Sequence, residues 1–250
     1  MNKFLSVLII CVAVSCHQTE KKISTQEIVD QSIEISGGKL HESSTISFEF
    51  RGKTYISKMD GNQKVLKRLT HNDSIQLFDI LTGEKFQRFE NDSLIMLPDS
   101  ISRKYSNSVN SVHYFSKLPY GLNDPAVRKE FLGEIEINGK AYYKIKVTFE
   151  KEGGGDDFDD TYLYWFNQET LKADYLAYDF HVDGGGMRFR EAYNERYIGD
   201  IRFVDYYNSK PKNSNASLMQ IDSLFIKDQL QLLSKIELKK ITILEKGSYN

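Results

Sequence analysis

Between residues 153 and 207 the chain changes side at almost every residue, and it is interrupted only by glycine-rich turns. Tyr162, Tyr164 and Phe166 fall on one face of a strand and Leu163 and Trp165 on the other. Both faces are large and apolar, so this strand is expected to be covered on both sides. Leu176, Tyr178, Phe180 and Val182 share a face in the next strand. Met187, Phe189 and Tyr193 share one after that, with Arg188 and Arg190 opposite. Asn167-Gln168-Glu169 and Asp183-Gly184-Gly185-Gly186 are the reversals, where glycine permits the positive φ that tight turns need.

The rest of the chain continues the pattern. Ile46, Phe48 and Phe50 alternate with polar neighbours, Asp60-Gly61 makes a hairpin turn, and strands are expected over 65–70, 74–81, 84–89 and 93–97. Turn signals recur about every eight to twelve residues, the mark of a sandwich, a barrel or a curled sheet. Asn138-Gly139 closes a hairpin whose second strand puts Tyr143, Ile145, Val147 and Phe149 on one face. Helices are few. Ser24 and Glu27 form a capping box ahead of Ile28, Val29, Ser32 and Ile33, and Gly37-Gly38 ends that helix. Val109, Val112 and Phe115 form a helical stripe over 106–117. Asp124-Pro125 is expected to start a further short helix ending near Gly133. Residues 218–233 fit helix or strand. Ile236 and Leu238 alternate out of phase with Ile241 and Ile243, which predicts a bulge at Lys239-Lys240.

The amino end predicts an address. A short basic start, Met1-Asn2-Lys3, precedes an apolar run over 4–14 that is too short to span a bilayer. It stops at Ala13-Val14-Ser15-Cys16, small residues before a cysteine, as in a bacterial lipoprotein signal. The expected organisation is a signal peptide over 1–15, a lipidated tether over 16–22 and one β domain over 23–250. Cys11 leaves with the peptide and lipid occupies Cys16, so no disulfide remains. Several acyl chains on one residue anchor firmly, at about 0.8 kcal/mol per buried CH₂. The outer membrane is the expected location.

Few chemical motifs stand out. A net charge of -2 argues against nucleic acid as a partner. No Gly-x-Ser-x-Gly, P-loop or dinucleotide fingerprint is present, and the glycine runs join strands rather than a strand to a helix. The Asp156–Asp160 cluster lacks the spacing of a calcium loop and reads as a solvated acidic turn. The five histidines are scattered without ligand spacing, so no metal or cofactor is expected. Arg188, Arg190, Arg196 and Arg202 either clamp an anionic group or pair with Asp174, Asp179, Glu191 or Asp205 across strands. Tyr162, Tyr164, Trp165, Tyr175, Tyr178 and Phe180 either line a cavity or fill an ordinary core.

Leu118-Pro119-Tyr120-Gly121-Leu122-Asn123-Asp124-Pro125, Asp160-Thr161-Tyr162-Leu163-Tyr164-Trp165-Phe166, Gly185-Gly186-Met187-Arg188-Phe189-Arg190 and Phe203-Val204-Asp205-Tyr206 resemble the DUF6503 family of Bacteroidota lipoproteins. The resemblance extends over nearly the whole mature chain. It implies a mainly β (α+β) fold similar to the LolA and LolB carriers. That fold is a single large curved antiparallel sheet, or half-open barrel, with an amino-terminal helix and one or two short helices on its concave side. It implies no established activity. The expected function is a non-enzymatic envelope protein that binds a lipid or other apolar or amphiphilic ligand. Tyr162, Tyr164, Trp165, Tyr178 and Phe180 would line the cavity, and Arg188 or Arg190 would meet a polar head. The alternatives are an envelope scaffold with a filled core and, more remotely, a hydrolase.

Overall fold

A computed structural model describes residues 23–72, 75–83, 85–154, 158–181, 184–213 and 215–245. The expected lipoprotein signal and Cys16 lie outside the described residues, as do Asp156, Asp157, Val182 and Asp183.

Helix α1 (Thr25–Ile35) opens on the expected capping box, with the Ser24 hydroxyl accepting from Glu27 N and the Glu27 carboxylate accepting from Ser24 N. It is followed by a single turn, α2 (Leu40–Ser43), that alternation did not reveal. Six strands then run as a meander: β1 (Ser44–Phe50), β2 (Lys53–Asp60), β3 (Gln63–Asn72), β4 (Ile75–Thr82), β5 (Lys85–Glu90) and β6 (Ser93–Ile95). Helix α3 (Asp99–Ser116) follows. Six more strands continue: β7 (Val127–Ile137), β8 (Lys140–Phe149), β9 (Tyr162–Asn167), β10 (Ala173–Phe180), β11 (Gly186–Ile198) and β12 (Ile201–Pro211). The chain closes with α4 (Ile221–Ile226), β13 (Leu230–Ile236) and β14 (Lys239–Glu245).

The curved antiparallel architecture is present as two hydrogen-bonded ladders, β14-β1-β2-β3-β4-β5-β6 and β13-β12-β11-β10-β9-β8-β7. They meet in one bent strand: β13 pairs with β12 and, after Glu237-Leu238, β14 pairs with β1. Two side chains replace the ladder at the bend. The buried Asp205 carboxylate accepts from Leu238 N at 3.0 Å, and Arg196 Nη2 donates to Leu238 O at 2.7 Å. The predicted bulge lies one step on. Four residues from Lys239 to Thr242 face three from Ser47 to Glu49, and Lys240 takes φ 48°.

Two expectations need correction. Residues 124–133 do not form a helix. A 3₁₀ turn spans Tyr120–Asn123, Asp124 is extended, and β7 begins at Val127. Asp-Pro is a sound local N-cap signal, but pairing of Val127 with Phe149 and of the residues beyond it outweighs that preference. A register shift at Leu132, with Gly133 at φ 125°, lets the edge strand curl. Helix α3, in turn, is longer than its apolar stripe. Its first turns are mostly polar and carry no stripe to read; they are held by the Arg88 guanidinium, 3.6 Å over the Tyr105 ring.

Strand β9 is buried on both faces, as its alternation predicts. Tyr164 and Phe166 join the main core with α1, β1, Val112 and Leu122. Leu163 and Trp165 join a second cluster with Tyr175, Phe189, Leu218 and Ile221, so α4 covers the outer side of that ladder. The Asp222 carboxylate pins this cover. It accepts from Lys144 Nζ at 2.5 Å and from Trp165 Nε1 at 3.3 Å. Asp222→Ala leaves the half-buried ammonium with the Met219 carbonyl and the Trp165 ring but no carboxylate, and is expected to cost about 2–3 kcal/mol. Urea unfolding measures this, and a loss below about 0.5 kcal/mol would contradict the pinning role.

Candidate ligand cavity

Register brings the aromatic and arginine side chains together. Tyr178 pairs with Tyr162 on one side and Arg188 on the other; Leu176 pairs with Tyr164 and Arg190. Directly opposed residues share a face in antiparallel strands, so all of these point inward. Helix α3 lies across from them. Between the two is a cavity of about 840 Å³, whose walls include Val112, Tyr114, Phe115, Phe149, Tyr162 and Leu176. Tyr178, Phe180, Arg188 and Arg190 complete that inner wall. The volume falls within the roughly 300–1,000 Å³ of sites that enclose one small ligand.

The wall is an aromatic ladder. Phe149 meets Tyr162 edge-on at 5.7 Å, Tyr162 stacks on Tyr178 at 5.1 Å, and Tyr178 meets Phe180 at 6.1 Å. Arg188 sits 4.8 Å over Phe180. Arg190 lies between Phe115 and Tyr178, 5.3 and 5.1 Å from the ring centroids, and its Nη2 donates to the Tyr178 hydroxyl at 3.0 Å.

Of the residues expected to bind a ligand, Tyr162, Tyr178, Phe180, Arg188 and Arg190 are at the cavity. Tyr164 is on the same face but wholly buried behind Tyr162, its ring stacked at 6.4 Å. Trp165 faces away, into the cluster under α4, because it is out of phase by one residue. The arginines also divide. Arg196 and Arg202 pair with Asp205 and Glu195. Arg188 and Arg190 have no carboxylate partner among the described residues.

Helix α3 supplies a wall that alternation did not assign. Phe115 is in the apolar stripe, but a stripe names a face and not what lies opposite it. Polar groups are also present. Burial, with the nearby Asp124 carboxylate, pushes the Tyr114 hydroxyl well above its ordinary pKa. Burial likewise raises the Asp124 carboxyl, an effect that Lys64 opposes. Burial and then Asp160 raise Tyr162. By the mouth, Asp159, Asp160 and His181 hold ligand-type atoms within 4.8 Å of one another, with Asp159 and His181 exposed. His181 Nδ1 is 3.5 Å from Asp160 and 3.7 Å from Asp159.

Among the described residues no helix is long and apolar enough to cross a membrane. No curated protein sequence matches this chain. A LolA superfamily protein of Nitrosomonas europaea shares the fold: TM-score 0.50, 13% identity, 89% of this chain and 94% of that one covered. A DUF1329 family protein of Desulfovibrio piger gives TM-score 0.44 and 11% identity, with 90% and 95% covered. The model of the family of unknown function DUF6503 matches residues 2–238, and the chain belongs to that family.

Proposed function

We propose that this is a lipid-anchored protein of the cell envelope that binds an apolar or amphiphilic ligand in the cavity and catalyses no reaction. One observation carries the reading: a space of about 840 Å³ between α3 and the inner faces of β9, β10 and β11, with the aromatic ladder as one wall and polar residues among the rest of its lining. A scaffold with a solid interior would have no such space. The LolA-like fold is compatible with it, since curved sheets of this kind leave room between sheet and helices. Binding would be driven by apolar burial, about 25 cal/mol per Å² removed from water. The basic start, the apolar run and Cys16 support the anchor, with the outer membrane as its site.

The expected result is that protein purified from membranes carries lipid detectable by mass spectrometry and displaces a fluorescent fatty-acid probe. Clean spectra from repeated preparations, with no probe binding, would remove the proposal. The anchor has its own test. Cells fed labelled palmitate should label the wild type and not Cys16→Ala, and label retained by the variant would count against it.

A further inference from the structure

Most of the buried and half-buried arginines of this protein meet a carboxylate, and among the described residues Arg188 and Arg190 do not. Arg68 and Arg88 share the Asp79 carboxylate, Arg196 meets Asp205, and Arg202 meets Glu195. Arg190 meets none among the described residues. Its bonds are one donation to the Tyr178 hydroxyl and two ring faces, and its Nε is buried with no partner. A guanidinium carries five N–H donors, and leaving a buried one unmet is costly. Nearby, the Tyr114 and Tyr164 hydroxyls are also buried without a partner. Charge points the same way. Of the charged groups that line the cavity among the described residues, Arg51, Lys64, Arg188 and Arg190 are cations, against Asp124 and Asp160. Arg188 is the less suited of the two inner arginines. It is one register step nearer the Gly184–Gly186 reversal, and its Nη1 is already bonded to the Met187 carbonyl.

Resting on the cavity reading above, we propose that the ligand is a single-chain amphiphile with a carboxylate head, held with that carboxylate on Arg190. A planar guanidinium fork fits a carboxylate through two parallel bonds, and an anion suits a lining in which cations outnumber carboxylates. The aromatic ladder takes the aliphatic tail. The volume is that of a site for one small ligand rather than for several acyl chains.

The test compares two probes with the same tail, palmitate and neutral hexadecanol, on the full-length chain purified in a dialysable detergent and freed of it. Palmitate is expected to bind at least about tenfold more tightly than hexadecanol. Arg190→Gln should weaken palmitate about thirtyfold or more while changing hexadecanol less than about threefold. Arg190→Lys should lie between. Equal wild-type affinity for the two probes overturns the carboxylate assignment and leaves the cavity reading standing. So does an Arg190→Gln protein with an unchanged melting temperature that binds palmitate normally or loses both probes alike. Tight phosphatidylglycerol binding without palmitate binding also overturns it. If neither palmitate, hexadecanol nor phosphatidylglycerol binds, the cavity reading itself falls. Should Arg190→Gln fail to fold, the wild-type probe ratio and Arg190→Lys decide the matter.

Discussion

Asp79→Ala is expected to lower stability by about 3–5 kcal/mol, enough to shift the melting temperature by roughly 10 °C. Asp79 is 1% exposed and is the only carboxylate that Arg68 and Arg88 meet among the described residues. It accepts from Arg68 Nε and Nη2 at 2.9 and 2.7 Å, and from Arg88 Nε and Nη2 at 2.7 and 3.0 Å. Removing it strands two guanidinium groups against each other with no route to water for Arg68. The effect extends beyond the sheet. Arg68 Nη1 donates to Ser108 and Arg88 covers Tyr105, so this group docks α3, alongside Val109 against Leu66 and Leu81. Helix α3 is one wall of the cavity, so the same substitution should weaken probe binding. Replacing Asp79 by Leu together with Arg68 by Met should recover part of the stability, because only Arg88, which keeps its place over the Tyr105 ring, is then left without the carboxylate. An Asp79→Ala loss under about 1 kcal/mol in urea unfolding would refute this account.

Acid should destabilise the protein through three buried bases near the carboxyl end of α3. His113 is held between Phe48 and Tyr55, and His41 lies against Tyr120. Each points Nε2 at a backbone carbonyl, Lys67 O at 3.1 Å and Ser36 O at 3.2 Å. Each Nδ1 has no partner. Protonating Nδ1 would place a charge in an apolar pocket, so burial lowers His113 to about 3 and His41 to about 4. Lys117, buried and close to Lys64, is lowered to about 7, with Glu42 opposing.

The sign is the same for all three. The unfolded chain binds the proton first, so each histidine contributes stability near pH 7 that is lost as pH falls from 6.5 towards its folded value. At pH 5 that loss is about 2 kcal/mol per histidine. For Lys117 the penalty is complete below 7 and is relieved as pH rises towards 10.5. The carboxyls of Asp124 and Asp174, raised by partial desolvation, pull the other way and offset part of the loss. The decisive comparison is therefore a variant. His113→Gln keeps an amide donor for Lys67 O but cannot titrate. Its stability loss between pH 7 and 5 should be about 2 kcal/mol smaller than the wild type's. Parallel curves for the two proteins would sink the assignment.

Local chemistry alone settled much of this molecule. Side-chain alternation names the inner and outer faces of β9, β10 and β11, because a pleated strand has no other way to dispose its side chains. Asp60-Gly61 and Asn138-Gly139 declare their turns, Ser24 and Glu27 their cap, and the phase slip past Leu238 its bulge. Membership of a family with this curved antiparallel fold was likewise readable from the residues. What a single strand cannot show is what lies across from it. Whether Tyr162 and Tyr178 border space or packed atoms depended on where α3 rests, and α3 is placed by Asp79 and its two arginines, long-range partners without a local signature. The same ignorance of partners misassigned residues 124–133, where a helix cap yielded to pairing with β8. It also left Arg188, Arg190, Arg196 and Arg202 looking alike, although two are neutralised by carboxylates and two face the cavity. Periodicity is a property of consecutive residues and survives in the sequence; a cavity and an unpaired buried charge are properties of distant ones, and only the folded chain brings those together.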